Sequence, residues 1–259
     1  MADPIAAMLV DEVERIAREA GALALESWRG DFKRWEKAPG NPVCEVDLAV
    51  DELLRRRLSA LLPEAGWLSE ETEDDIDRLG RDRVWVVDPI DGTRDYIRGR
   101  TGWAVSVALV KAGRPVLAAL HAPALDQTWC ATLGGGAYRN NVRALASDRT
   151  ELAGARVPSD GLSRADRDLM ALAKPNSIAL RIAMVAAGEA DLFVTQRWGN
   201  EWDIGAAALI ATEAGAWVSD AHGGALAFNK PDPRMWGLLA CAPELRRAAQ
   251  MRFAPASVV

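Results

Sequence analysis

The segment "RVWVVDPIDGTRDY", residues 83–96, runs an apolar strand, Val84 to Val87, straight into Asp88 and then Asp91. Charged carboxylates at the end of a buried strand are costly unless something neutralises them. Three further acidic sites share that setting, where an apolar segment meets a loop. They are Asp47 at a helix start, Glu70 and Glu71 after a short strand, and Asp203 behind Trp202 at another helix start. Loops held by rigid elements are where site residues concentrate. Several carboxylates, the Ile90 carbonyl and water together make a hard-cation site that suits Mg2+, or Mn2+, better than zinc. On this reading the cation neutralises Asp88 and Asp91. A helix starting just after Asp91 would add the free N–H groups of Gly92 and Thr93 as an anion site. Cations beside a helix N-terminus fit phosphate-ester hydrolysis, because they polarise the phosphoryl oxygens and lower the pKa of an attacking water.

Plainer accounts stand beside these. Asp47 and Asp203 are both good helix caps. "DPIDGT" alone reads as a turn with Asp first and Pro second, although a second Asp followed by Gly-Thr weakens that. Beyond Glu71, the run "EETEDD" reads as a solvated loop, with Glu73, Asp74 and Asp75 as background charge. Cys44 has no histidine near it in sequence and reads as a small packed side chain, not a nucleophile.

The elements that must position these residues follow from spacing. Apolar residues at helical period predict helices over 4–29 and 46–62, with "APGNPV" at 38–43 as a loop between them. "RVWVVDPID" is a strand. "WAVSVALVKAGRPVLAALHAP" is a pair of strands joined at "KAGRP", and "TWCATLGGGAYRNNVRA" is another strand with a glycine-rich turn. Further on, 177–190 and 202–216 read as helices, "DLFVTQ" as a strand, "QRWGNEW" as a loop and "WVSDAHGGALAF" as a strand and turn. This order predicts two halves forming one functional unit. Residues 1–145 are an α+β half with most of the metal ligands, and 146–259 an α/β half supplying Asp203 and the substrate wall. Trp85, Trp103, Trp129, Trp217 and Trp236 read as core, and Trp202 as packing that places Asp203. Trp198 reads either as loop packing or as a platform for an adenine.

Bulk properties narrow the function. At 259 residues, with 49% hydrophobic and 26% charged content, the chain is long enough for a large core and ordinary for a globular protein. A net charge of −6 argues against a nucleic-acid polymer as partner. It leaves room for a small phosphorylated metabolite, since a bound cation reverses the local field. Three scattered cysteines and two histidines give neither a disulfide framework nor a zinc or histidine-rich site. Acidic residues interrupt the N-terminal apolar run, and no stretch reaches ~18 uncharged apolar residues, so neither a signal peptide nor a membrane span is expected. The expectation is a cytoplasmic protein, monomer or homodimer.

In order and spacing the motifs resemble those of the inositol monophosphatase superfamily of lithium-sensitive, magnesium-dependent phosphatases. They are Asp47, "SEET" with Glu70 and Glu71, "DPIDGT" at 88–93 and "EWDIGAAALIATEAGA" at 201–216. The resemblance implies an α+β fold, a layered αβαβα sandwich. It implies that Glu70, Asp88 and the Ile90 carbonyl hold one magnesium. Asp88, Asp91 and Asp203 would hold a second, and Glu70 with water a third. It further implies that Asp47 pairs with the Thr93 hydroxyl to orient the nucleophilic water, that Gly92 and Thr93 bind phosphate through N–H groups, and that Li+ inhibits. One departure is Gly215-Ala216, where the family commonly has Gly-Gly.

The continuation "RDYIRG" and the run "GRPVLAALHAP" resemble the bacterial 3'(2'),5'-bisphosphate nucleotidase branch. Its members convert adenosine 3',5'-bisphosphate to AMP and phosphate. A second phosphate would want a cation; Lys174, Arg181 and Arg197 are the candidates, each also readable as plain surface charge. Inositol-1-monophosphatase is the main alternative, and a non-catalytic metal- or phosphate-binding regulator an alternative of another class. A fructose-1,6-bisphosphatase is disfavoured on chain length.

Overall fold

The helical spacing over 4–29 forms α1 (Pro4–Ser27), whose Asp3 cap accepts from Ile5 N and Ala6 N. The structure, a computed structural model, describes residues 3–253; the outermost residues of the two expected halves, 1–2 and 254–259, lie outside that range. Where the sequence suggested only a loop over 38–43, a hairpin stands, β1 (Arg34–Ala38) with β2 (Asn41–Cys44). Its first strand is exposed throughout, so no alternation of apolar residues announces it. There follow α2 (Glu45–Leu61), β3 (Gly66–Ser69), β4 (Arg83–Asp91) and a short α3 (Thr93–Ile97). Then come β5 (Ala104–Lys111), β6 (Arg114–Ala122), β7 (Gln127–Thr132), β8 (Gly136–Arg139) and β9 (Val142–Arg143). Strands β3 to β9 form one sheet in chain order, β3 parallel to β4 and the rest antiparallel.

The second half supplies β10 (Arg156–Pro158), β11 (Met170–Leu172), α4 (Ile178–Ala186) and β12 (Leu192–Asn200). It continues with α5 (Glu201–Glu213), β13 (Trp217–Ser219), β14 (Arg234–Cys241) and α6 (Arg246–Phe253). Strands β12, β14 and β13 make a second, antiparallel sheet.

The pleat sorts the large sheet into two faces. Trp85, Val87, Val105, Val107 and Leu117 pack beneath α1 and α2, whereas Val84, Val86, Ala108, Ala118 and Leu120 pack against α4 and α5. β4 is covered on both sides, which is why it reads as an unbroken apolar run. α5 is apolar all round because the small sheet covers its other side. At Gly205 it runs within van der Waals range of the sheet, where a Cβ would lie 3.4 Å from the Ala108 Cβ. With α6 outside the small sheet, the layers run helix, sheet, helix, sheet, helix, the expected αβαβα sandwich. One core cluster spans residues on both sides of 145. Among the described residues no helix is long and apolar enough to cross a membrane.

Three expectations are corrected. "QRWGNEW" is not a loop: β12 runs on to Asn200 and hands over directly to α5. Asp74 is not solvated background, since it pairs with the buried Arg78 guanidinium, which also donates to Asn229 Oδ1 and Lys230 O. Trp236 is not core but 37% exposed, its ring edge-on to Trp198 at 5.4 Å. Trp85, Trp103 and Trp129 are buried as expected, and Trp217 is half-buried under the Arg246 guanidinium. Gly215 takes the left-handed φ of 89° at the end of α5, so Ala216 stands where ordinary backbone suffices.

Candidate active site

The acidic residues converge where β3, β4 and the starts of α2, α3 and α5 meet. Glu70, Asp88 and Asp203 each bring a carboxylate oxygen to within 4.8 Å of the other two. Asp88 lies in β4, which is buried throughout, and its carboxylate's only hydrogen bond among the described residues comes from Ile90 N at 3.0 Å. Burial, followed by the charges of Glu70, Asp91, Asp203 and Asp47, pushes the Asp88 carboxyl well above the usual range. Asp203 sits at the third position of α5, accepts from Asn200 N at 2.8 Å, and is likewise raised by burial and by Asp91 and Glu70. Three crowded carboxylate oxygens, those of Asp88 and Asp203 on buried groups that resist ionisation, are the donor set a hard divalent cation fits. That chemistry is what tests the fit, and these residues pass it.

Asp91 lines the same cavity as Glu70, Asp88 and Asp203 and is also tied to α4. Its Oδ2 accepts from Ser177 Oγ at 2.5 Å and Ala179 N at 2.7 Å, and its Oδ1 from Ile178 N at 3.3 Å. The segment that opens α4 therefore supplies protein partners for this carboxylate. Burial still holds it at about 6, and it borders the same cavity as the cluster. The Ile90 carbonyl lies 3.0 Å from Thr93 Oγ1, whose single proton can go either to it or to Asp47 Oδ1 at 3.1 Å.

Asp47 combines the two roles the sequence left open. Its Oδ2 accepts from Cys44 N at 2.8 Å, closing the start of α2, and its Oδ1 lies 3.1 Å from Thr93 Oγ1. Burial raises its carboxyl to about 6, against the lowering pull of these bonds. The Cys44 thiol is pushed up to about 12 by burial, which fits packing and not nucleophilic work. The expected helix after Asp91 is present as α3, with Gly92 as its cap at φ 97°. A Cβ on Gly92 would stand 2.6 Å from Gly102 O and 2.9 Å from Ser177 N, so only glycine fits there.

Spacing alone missed Lys37. From β1 its Nζ reaches Glu70 Oε1 at 3.0 Å and Glu71 Oε1 at 2.7 Å. Even so, burial and the Glu70 charge hold Glu71 at about 7. Ser177 was also missed, although a serine before an apolar helical run is an N-cap signal.

A cavity of about 570 Å³ opens beside the cluster, walled by α3, α4 and β12. Of the three candidate cations, Lys174 is engaged with Asp160. Arg181 donates to Pro175 O at 2.8 Å and Asn176 O at 2.6 Å. Arg197 lines the cavity from β12, exposed and in no ion pair among the described residues. Trp198 beside it is 63% exposed. A register shift between Thr195 and Trp198, opposite Gly237 at φ 65°, gives β12 an extra residue there.

Comparison with known proteins agrees with this architecture. The profile of the Inositol monophosphatase family matches residues 8–258. A fructose-1,6-bisphosphatase/inositol-1-monophosphatase of Thermotoga maritima is 34% identical over 83% of this chain and 86% of its own. Its comparable length removes the length argument against a fructose-1,6-bisphosphatase. The 3'(2'),5'-bisphosphate nucleotidase CysQ of Aggregatibacter actinomycetemcomitans is 30% identical over 86% of this chain and 88% of its own. The crystal structure of an extragenic suppressor protein from Bartonella henselae superposes with a TM-score of 0.83 at 25% identity, covering 97% of this chain and 100% of that one. With the fold, the clustered acids and a family match over nearly its whole length, the chain belongs to the inositol monophosphatase family and is a phosphoric monoester hydrolase.

Proposed function

We propose that this is a magnesium-dependent phosphomonoesterase acting in the cytoplasm on a small ester with a second anionic group, adenosine 3',5'-bisphosphate, which it converts to AMP and phosphate. The observation that carries the substrate is the β12 wall, where Arg197, in no ion pair among the described residues, and the 63% exposed Trp198, its ring shared with the Arg234 guanidinium at 5.5 Å, line the cavity beside the acidic cluster. Three free cysteines suit a reducing compartment.

Glu70, Asp88 and Asp203 would hold magnesium, with Asp91 and the Ile90 carbonyl close by. Bound there, magnesium supplies Lewis-acid polarisation of the phosphoryl group and a more acidic water. The chain's own residues do the rest. The Gly92 and Thr93 N–H groups at the start of α3 bind the phosphate oxygens. Thr93 Oγ1, giving its proton to Asp47 Oδ1, keeps a lone pair free to accept from the attacking water. Asp47, raised to about 6, is basic enough at neutral pH to draw that proton along. Arg197 pairs with the second phosphate and Trp198 lies against the base.

Inositol-1-monophosphatase is the second reading, favoured by a Dictyostelium discoideum inositol monophosphatase that is 33% identical over 81% of this chain. A non-catalytic regulator is disfavoured because no member of the acidic cluster is replaced.

The test is phosphate release with Mg2+ from adenosine 3',5'-bisphosphate, inositol 1-phosphate and fructose 1,6-bisphosphate. A preference of about 100-fold in kcat/KM for the nucleotide, about 2.7 kcal/mol, is expected. Arg197→Ala should remove about 10-fold or more from the nucleotide alone, as loss of one charge-assisted contact does. Preference for inositol 1-phosphate overturns the substrate, and no release from any ester overturns catalysis.

A further inference from the structure

α2 carries two buried carboxylates one helical turn apart, Asp47 at 1% and Asp51 at 7% exposure. Like charges at that spacing repel, and burial raises the cost, so each needs its own donors. Asp47 uses the helix cap and Thr93. Asp51 contributes nothing to the cap and faces elsewhere. Its Oδ1 accepts from Ser69 Oγ at 2.5 Å and its Oδ2 from Thr72 Oγ1 at 2.6 Å.

Those two hydroxyls bracket Glu70 and Glu71. Ser69 Oγ also accepts from Glu71 N at 3.4 Å, and Thr72 Oγ1 from Trp67 Nε1 at 3.3 Å. Between them Glu70 N donates to the carbonyl of Val87 at 3.3 Å, the residue before Asp88. Both hydroxyl protons are thus spent on Asp51, so the turn is fixed at both ends to α2 and, through Glu70 N, to the strand that carries Asp88.

We infer that Asp51 is a positioning residue for the cation centre, clamping the Glu70-Glu71 turn so that Glu70 meets Asp88 and Asp203. This rests on reading those three as the cation site. Asp51 touches neither substrate nor cation. It acts through Ser69 and Thr72, as outer partners that orient metal ligands do.

The experiment uses the full chain stripped with a chelator. Mg2+ affinity is measured by titration calorimetry and the metal-free melting temperature by circular dichroism. Asp51→Ala should weaken Mg2+ binding by about 10–100-fold, the range for lost outer partners of a ligand. Asp51→Asn, which offers an oxygen to one hydroxyl and an N–H to the other, should recover most of it. Thr72→Val removes one arm only and should give an intermediate loss. It also serves as the test should Asp51→Ala not fold. Wild-type affinity in Asp51→Ala or Thr72→Val, with only the melting temperature lowered, would overturn the inference in favour of simple loop anchoring. Glu70→Gln separates the two readings. If it too binds Mg2+ like the wild type, the cation site itself is misassigned and the clamp falls with it.

Discussion

At the scale of residues, the two aspartates of "DPIDGT" differ in a way that their spacing hides. Asp91 accepts three hydrogen bonds from the segment that opens α4, whereas Asp88 accepts one. Asp91→Asn would turn an N–H toward other donors and cost about 1–3 kcal/mol of stability, so it mixes folding with function. Asp88→Asn keeps its acceptor for Ile90 N and removes a repelled buried charge. Phosphate release should fall by at least about 100-fold in Asp88→Asn. Its metal-free melting temperature at pH 8 should stay level or rise, which a chelator-treated melt would check. The acidic residues themselves were legible because each closes an apolar segment. Lys37 and Asp51 were not. Lys37 sits in an exposed polar strand, and Asp51 in "DELLRRR" has the appearance of any solvated helix carboxylate. Only the third dimension shows what they face.

At the scale of elements, β12 is the one whose misreading mattered. Gly199 and the polar residues around it suggested a loop, but antiparallel pairing with β14 carries the strand through to Asn200. The irregularity that disguises it turns on Gly237. A Cβ there would lie 2.4 Å from the Ala221 Cβ and 2.8 Å from Thr195 O, on a left-handed backbone. Gly237→Ala should therefore cost about 1–3 kcal/mol in denaturant unfolding. It should also shift Arg197 and Trp198, lowering kcat/KM for the bisphosphate more than for a simple monoester. Helices α1, α2, α4 and α5 were readable from period alone because each buries a continuous apolar stripe or surface. The β1–β2 hairpin buries little and left no such trace.

At the scale of the whole molecule, α1 lies so close to the large sheet that a Cβ on Gly21 would meet His121 Cδ2 at 2.3 Å. His121, on β6, bonds Thr128 Oγ1 at 2.8 Å through Nδ1, and burial and then Arg18 lower it to about 4, with Asp126 and Glu14 opposing. The sign follows from linkage. The folded state takes up the proton later than the unfolded chain, so stability is intact above pH 6.5, falls as pH drops toward about 4, and is flat below. The loss is on the order of 3 kcal/mol, and it should be largely absent from the same titration of His121→Asn. The raised site carboxylates run the other way, so the comparison is wild type against variant at each pH. The layered order of the sandwich followed from the resemblance of the motifs and not from the succession of elements, and the sharing of one core across residue 145 left no signal, because nothing in a linear pattern says which faces meet.

That shared core orders events in time. Glu70 and Asp88 leave the ribosome early and Asp203 late, carried by the helix that fills the groove between the sheets. A chain cut short in translation presents two acids of the three and a bare apolar sheet face. Turnover thus reports on α5: any molecule that acts is one in which that helix has been made and has docked, bringing Asp203 to Glu70 and Asp88.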